Sequence, residues 1–223
     1  MMKWSEVEER VRTRSLIHHP FFQAWSDGKL TTGDLGAFAK QYFSFENSFP
    51  RLLSRVHSRC EDAALRRRIL KNLDDEDAGA ENHRELWIDF AQALGLDRRE
   101  VIEAPLLPET RQALETLTAL SDHPNFAVGL AAVYAFESQI PQLAGLQLDG
   151  LRRFYGITDA KALRFFELHK QMEARHSSEA KEMILSSGAA MEIVEAAADQ
   201  ACSALWRLVD GVCKSRPASV CAA

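Results

Sequence analysis

Apolar positions recur every three or four residues along nearly the whole chain, and no stretch alternates as a half-buried strand would. The period predicts an all-α protein. Ser5 is placed to cap a first helix running to about Ile17 and stopped by Pro20. A second, capped by Thr31 or Thr32, is expected to run to about Arg59 with a kink at Pro50. A third is expected from about Asp62 to Leu94, distorted in its acidic middle and closed by Gly95. Short helices near 98–103 and 108–120 precede one from Pro124 to about Leu143, a turn at 151–155, a long helix over 159–186 and a last one over 191–214. With no repeat and no linker, the pattern predicts a single-domain bundle of about seven helices over residues 1–215 and a flexible tail at 216–223.

Three of these helices carry acidic and imidazole side chains at spacings that bring them to one face. Steps of four and seven residues return to about the same helix direction, so His169, Glu173 and His176 form one stripe. Glu173 and His176 are also a Glu-x-x-His pair, the spacing by which carboxylate-bridged metal sites in bundles are built. Glu76 and His83, seven apart, are expected to stand two turns apart on a second helix. Glu137 comes from a third, amid Val133, Tyr134, Phe136 and Ile140. An unpaired carboxylate there would be costly to bury, so a ligand role explains it better than an accident of packing. If the three stripes face inward, three carboxylates and three imidazoles form a donor set suited to two iron-like or manganese-like cations. With two divalent ions the site would carry one net positive charge. His18, His19, His57 and His123 are assigned to caps, surface or satisfied core hydrogen bonds.

Composition narrows the function classes. In 223 residues, 46% are hydrophobic and 26% charged, enough for one sizeable core. The net charge of −5 gives no general attraction to nucleic acid. No run approaches the length of a membrane span, and the start of the chain goes straight into a charged amphipathic pattern, so a cytoplasmic protein is expected. Cys60, Cys202, Cys213 and Cys221 form no Cys-x-x-Cys pair, which argues against a structural zinc site or a disulfide framework; the first three read as buried thiols.

The segments Asn72-Leu73-Asp74-Asp75-Glu76, His83-x-x-Leu86-Trp87-x-x-Phe90 and Tyr134-x-Phe136-Glu137-Ser138-Gln139-Ile140-Pro141 resemble the haem-oxygenase-like superfamily that includes thiaminase-II-like and pyrroloquinoline-quinone-synthase-like proteins. Phe21-x-x-x-Trp25-Ser26-x-Gly28-x-Leu30 and His57-Ser58-Arg59-Cys60 extend the likeness over nearly the whole chain. Within it, the sequence resembles the di-metal oxidase branch of the chlamydial protein associating with death domains. That resemblance implies a haem-oxygenase-like bundle, a homodimer, and six metal ligands at Glu76, His83, Glu137, His169, Glu173 and His176. It also implies two iron ions, or one iron and one manganese, with dioxygen as co-substrate and an external reductant. Members of the branch that make para-aminobenzoate are thought to consume a tyrosine of their own, aided by further tyrosines and a lysine. The corresponding positions here are Phe22, Phe38, Phe136 and Gln147. These lack the phenolic oxygens and the amine, so an external small substrate is expected, such as an amine or amino-acid derivative, in cofactor or natural-product biosynthesis. Phe22, Phe38, Tyr42 and Phe136 are then candidates for an apolar substrate wall. The alternatives are a cofactorless member of the quinone-synthase or thiaminase kind, a haem-binding member with one proximal His, and a helical interaction module. The para-aminobenzoate synthesis itself is a further alternative.

Overall fold

A computed structural model describes residues 3–78 and 82–216, the side chain of Glu173 apart. The described chain is all-α, as the period predicts, but it divides into twelve α-helices and one short 3-10 turn rather than about seven helices. The expected tail at 216–223 falls, after Arg216, outside the described residues.

The extra helices come from breaks inside segments expected to be continuous. Three of these matter for the site. The segment expected to kink at Pro50 is two helices, α3 (Thr32–Glu46) and α4 (Phe49–Arg59). Proline lacks the N–H that would bond the carbonyl four residues back, and its ring crowds that carbonyl. For Pro50 that carbonyl belongs to Glu46, and α3 ends there. The same geometry recurs at Pro141, whose fourth preceding residue is Glu137, the last residue of α9 (Phe126–Glu137); α10 then runs Ile140–Phe154. The third break is in the acidic stretch. α5 (Ala63–Asp77) starts at Asp62, which accepts from Ala64 and Leu65 N–H, and α6 (His83–Ala93) starts at Asn82, which accepts from Glu85 N–H. Asp74, Asp75 and Asp77, in the last turn of α5, are weak helix formers, and Gly79 follows them in the sequence.

The 27-residue α11 (Ala160–Ser186), capped by Asp159, packs against α5, α6, α9 and α10. It is therefore the axis of the site. α12 (Met191–Ser215) closes the far side of α9, against α8 (Pro108–Ser121). Aromatic rings fill the space between α2 (Pro20–Ser26), α3, α6 and α11: Trp25, Trp87, Phe38, Phe90 and Phe166 are all almost fully buried. The two indoles are also tied by hydrogen bonds, Trp87 Nε1–H to the Ala39 carbonyl (2.9 Å) and Trp25 Nε1–H to the Gln147 carbonyl (3.2 Å). Each such ring contributes roughly 1.5–3 kcal/mol or more by burial, and the indole bonds fix its orientation. Cys60 and Cys202 are buried free thiols, as expected, whereas Cys213 is disulfide-bonded, contrary to the expectation.

Candidate metal centre

Two clusters of buried donors meet at the middle of α11. Glu46, His83 and His169 form one, with ligand atoms all within 4.8 Å of one another; Glu76, Glu137 and His176 form the other on the same criterion. All six residues are buried. Five belong to the expected set, and the backbone of the sixth expected residue, Glu173, lies on α11 between His169 and His176. Its side chain lies outside the described residues.

The two clusters touch through Glu76 and His83. Glu76 stands in the last turn of α5 and His83 opens α6, so they do not share a helix as their spacing predicts. They meet instead across the break, with Glu76 Oε2 2.6 Å from His83 Nδ1. A continuous helix would hold them two turns apart; with α5 ending at Asp77 and α6 starting at His83, the two side chains meet directly.

Glu46 was not anticipated. Its carboxylate lies 4.0 Å from His83 Nδ1. A signal for it exists in the sequence, because Phe45-Glu46-Asn47-Ser48-Phe49-Pro50 repeats the pattern of Phe136-Glu137-Ser138-Gln139-Ile140-Pro141. Each segment ends a helix on a glutamate and restarts it with proline in the first turn, and the two pack together, with Phe136 4.7 Å from Phe45 and 5.0 Å from Phe49 between ring centroids. A helix C-terminus carries partial negative charge and disfavours a carboxylate. Two buried glutamates at two such ends, beside a third, make a site of strongly negative potential, and desolvation adds several kcal/mol per charge. Cations bound among them offset both costs, and the mixed imidazole–carboxylate donor set suits iron or manganese.

Supporting contacts orient the donors. His169 Nδ1–H donates to the Phe165 carbonyl at 2.8 Å, which leaves Nε2 as the lone-pair nitrogen. Burial, reinforced by neighbouring His83, pushes the His169 pKa well below its ordinary value and keeps the ring in the neutral, ligating form. Asn72 Nδ2 donates to Glu137 Oε1 at 2.8 Å. Asp75 Oδ2 lies 3.0 Å from His176 Nε2 and accepts from Arg175 at 2.6 Å. Asn72 and Asp75 are one turn of α5 apart and both precede Glu76, so a single helix supplies one donor and the partners of two others.

On the other side of His169 lies a small, chiefly apolar cavity. Its wall includes Phe22, Phe38, Tyr42 and Phe136, the four aromatics expected to line a substrate chamber, together with Gln147. About 20 Å³ is open to the centre of a water-sized sphere, enough for one small molecule such as water or dioxygen. Of the remaining histidines, His19 caps α2, accepting from Phe21 N–H at 3.1 Å, and His123 accepts from Asn125 N–H at 3.0 Å. Both act as local backbone partners, as expected.

The fold and site thus define an all-α bundle built around a buried carboxylate–imidazole centre. Residues 36–210 match the family described as iron-containing redox enzyme, and the chain belongs to that family. It is 38% identical to a 4-aminobenzoate synthase of Nitrosomonas europaea, over 93% of this chain and 89% of the relative. It is 29% identical to a pyrroloquinoline-quinone synthase of Xanthomonas oryzae, over 93% and 86% respectively. In three dimensions it superposes on a domain with a heme oxygenase-like fold from Shewanella denitrificans with a TM-score of 0.82 at 19% identity, covering 96% of this chain and 94% of that one. Among the described residues no helix is long and apolar enough to cross a membrane.

Proposed function

We propose that this protein is an oxygen-activating dinuclear non-haem oxidase, with two irons or an iron and a manganese, that acts on an external small organic molecule in cofactor or natural-product biosynthesis. The observation that carries the reading is the pair of buried donor clusters, one of whose residues, His169, lines a small, chiefly apolar cavity. In this reading Glu46, His83 and His169 hold one metal, Glu76, Glu137 and His176 the other, and Glu173 joins them. Glu46 raises the carboxylates to four, which balances the charge of two divalent ions where three would leave one positive charge over.

The bound metals would supply the reduction of dioxygen, with electrons from an external reductant. The chain's own residues do the rest. Glu76, in contact with His83, would link the two sets of donors when metals are bound. Asn72 and Asp75 hold Glu137 and His176 in ligating orientations. Phe22, Phe38, Tyr42 and Phe136 line the space beside His169, which has room for dioxygen, and keep bulk water from it. The homodimer, the cytoplasmic setting and the absence of nucleic-acid and membrane partners belong to the same proposal. The test is elemental analysis after anaerobic iron loading, paired with oxygen uptake in the presence of a reductant. About two metals per chain and metal-dependent uptake support the reading; a chain that takes up no metal refutes it.

The relatives' names favour a second reading, synthesis of 4-aminobenzoate. Phe22, Phe38 and Phe136 have no phenolic oxygen, so Tyr42, the one phenol among the described residues of the chamber wall, would have to serve. Mass spectrometry of the chain after incubation with iron, oxygen and reductant separates the two: loss of mass at Tyr42 favours the second reading, an intact Tyr42 the first.

A further inference from the structure

Tyr134 is a buried phenol that the proposed reaction leaves idle. It is 7% exposed and stands on α9 one turn before Glu137, and residues three apart on a helix are neighbours, about 5–6 Å between Cβ atoms. Its ring lies edge-on to the indole of Trp4, 4.8 Å between centroids. Trp4 opens α1 (Trp4–Thr13) and is only partly buried, so the pair reaches from the neighbourhood of a donor to the surface. The Lys181 ammonium sits 5.4 Å from the centre of the Trp4 ring, and the Glu8 carboxylate, 2.8 Å from it, offsets its charge. Burial, reinforced by the Glu8 charge, pushes the Tyr134 phenol pKa up to about 12, so the ring holds its proton until it is oxidised.

Phenol and indole rings give up an electron to a strong oxidant; a phenylalanine ring does not. Among the described residues three tyrosine–tryptophan pairs have neighbouring rings: Tyr42 with Trp87 at 4.5 Å, Trp25 with Tyr155 at 6.3 Å, and Trp4 with Tyr134. Tyr42 and Trp87 both lie in the core, so the first pair has no outlet. Trp25 and Tyr155 stand on α2 and at the end of α10, neither of which carries a donor of the two clusters. Of the three, only Trp4 and Tyr134 join a donor helix to solvent.

We propose that Tyr134 and Trp4 form a discharge route for oxidising equivalents that arise at the metal centre when no substrate is bound, with Trp4 as the outlet to solution. This rests on the oxidase reading. Tyr134 gives one electron to the oxidised centre and its phenolic proton to Glu8, the carboxylate whose charge acts on that phenol. Trp4 then returns an electron to Tyr134, which takes its proton back from Glu8. A one-electron reductant in solution, such as ascorbate, refills Trp4, whose N–H is kept throughout. The sum is one electron passed from the reductant to the centre, with Tyr134, Trp4 and Glu8 unchanged. Tyr42, in the cavity wall beside His169, is the phenol that such a route spares.

Freeze-quench electron paramagnetic resonance on the iron-loaded protein, exposed to dioxygen with no substrate added, tests this. The proposal expects a tyrosyl radical in the parent and in Tyr42→Phe and its loss in Tyr134→Phe. Ascorbate should quench the parent signal and do so several-fold more slowly in Trp4→Phe. Both Phe variants of the pair keep an aromatic ring in place, and their metal content should equal the parent's. A radical that survives Tyr134→Phe, equal quenching in Trp4→Phe, or no radical in a protein that has taken up iron and consumes dioxygen overturns the proposal. Failure of iron loading or of oxygen uptake would instead overturn the oxidase reading. Flash photo-oxidation of the metal-free protein by a soluble ruthenium complex then judges the pair by itself: a tyrosyl signal weakened in both Trp4→Phe and Tyr134→Phe supports electron exchange between them, and one unchanged in either variant refutes it.

Discussion

His83 Nδ1 stands 2.6 Å from Glu76 Oε2 although the two residues belong to different helices, one at the end of α5 and the other at the start of α6. The contact joins the two donor clusters, so a change at either residue should be felt by both clusters. His83→Ala is expected to lower the metal content from about two per chain to one or fewer, and His176→Ala, which strips the second cluster of its only imidazole, to do the same. Metal analysis after reconstitution, with circular dichroism to confirm an intact helical fold, checks both; full metal content in both variants would remove the assignment.

Glu137→Gln and Glu46→Gln keep size and shape and remove one charge each. Both residues are buried at helix C-termini, where the metal-free protein gains from losing a negative charge. The metal-free melting temperature should therefore hold or rise slightly in both variants, while the iron-dependent increase and oxygen uptake are lost for Glu137→Gln and reduced for Glu46→Gln. Melting curves with and without iron read this directly. An iron response at Glu46→Gln equal to the parent's would show that Glu46 is only a neighbour of the site.

The chamber wall presents phenylalanine at 22, 38 and 136. A ring without a phenolic oxygen cannot serve as the sacrificed tyrosine, so this protein should not restore growth to a para-aminobenzoate auxotroph even with iron and oxygen supplied. Rescue that disappears in Tyr42→Phe would establish the second reading instead.

His19 gives a pH dependence independent of metal. Its Nδ1 accepts the Phe21 N–H at 3.1 Å and its Nε2 faces Asp210 at 3.1 Å, so the neutral ring fits the site. Burial lowers its pKa below 6.5, against the opposing pull of Asp210. A histidine whose folded pKa is depressed contributes stability that is complete above its unfolded value and lost as pH falls through the folded one. The metal-free protein should thus lose stability below about pH 6.5, and His19→Asn, which retains a capping acceptor without titrating, should flatten that part of the profile. Identical acid profiles for the two proteins would exclude His19 as the cause.

How much of this was readable from the chain divides by range. His169, Glu173 and His176 share a stripe because helical periodicity is local, and the long helix that carries them runs over 160–186, close to the span the period predicts. Glu76 and His83 were recognisable by their seven-residue spacing, and Glu137 because a carboxylate amid apolar neighbours is costly without a partner. Their arrangement was not. Whether Pro50 kinks a helix or ends it, and whether the acidic stretch bends or breaks, depends on how the flanking segments pack, and these breaks turn one expected stripe into a contact across two helices.

Sequence alone therefore determined the class, the axis helix and most of the donor residues, all of which follow from composition and from periods spanning a few turns. Tertiary structure decided which donors form which cluster, brought Glu46 in from α3, set Asp75 behind His176 and Asn72 beside Glu137, and put Tyr134 against Trp4. These are relations between residues tens of positions apart, and they exist only once the aromatic core has fixed how the helices pack, because no local pattern encodes the distance between side chains on different helices.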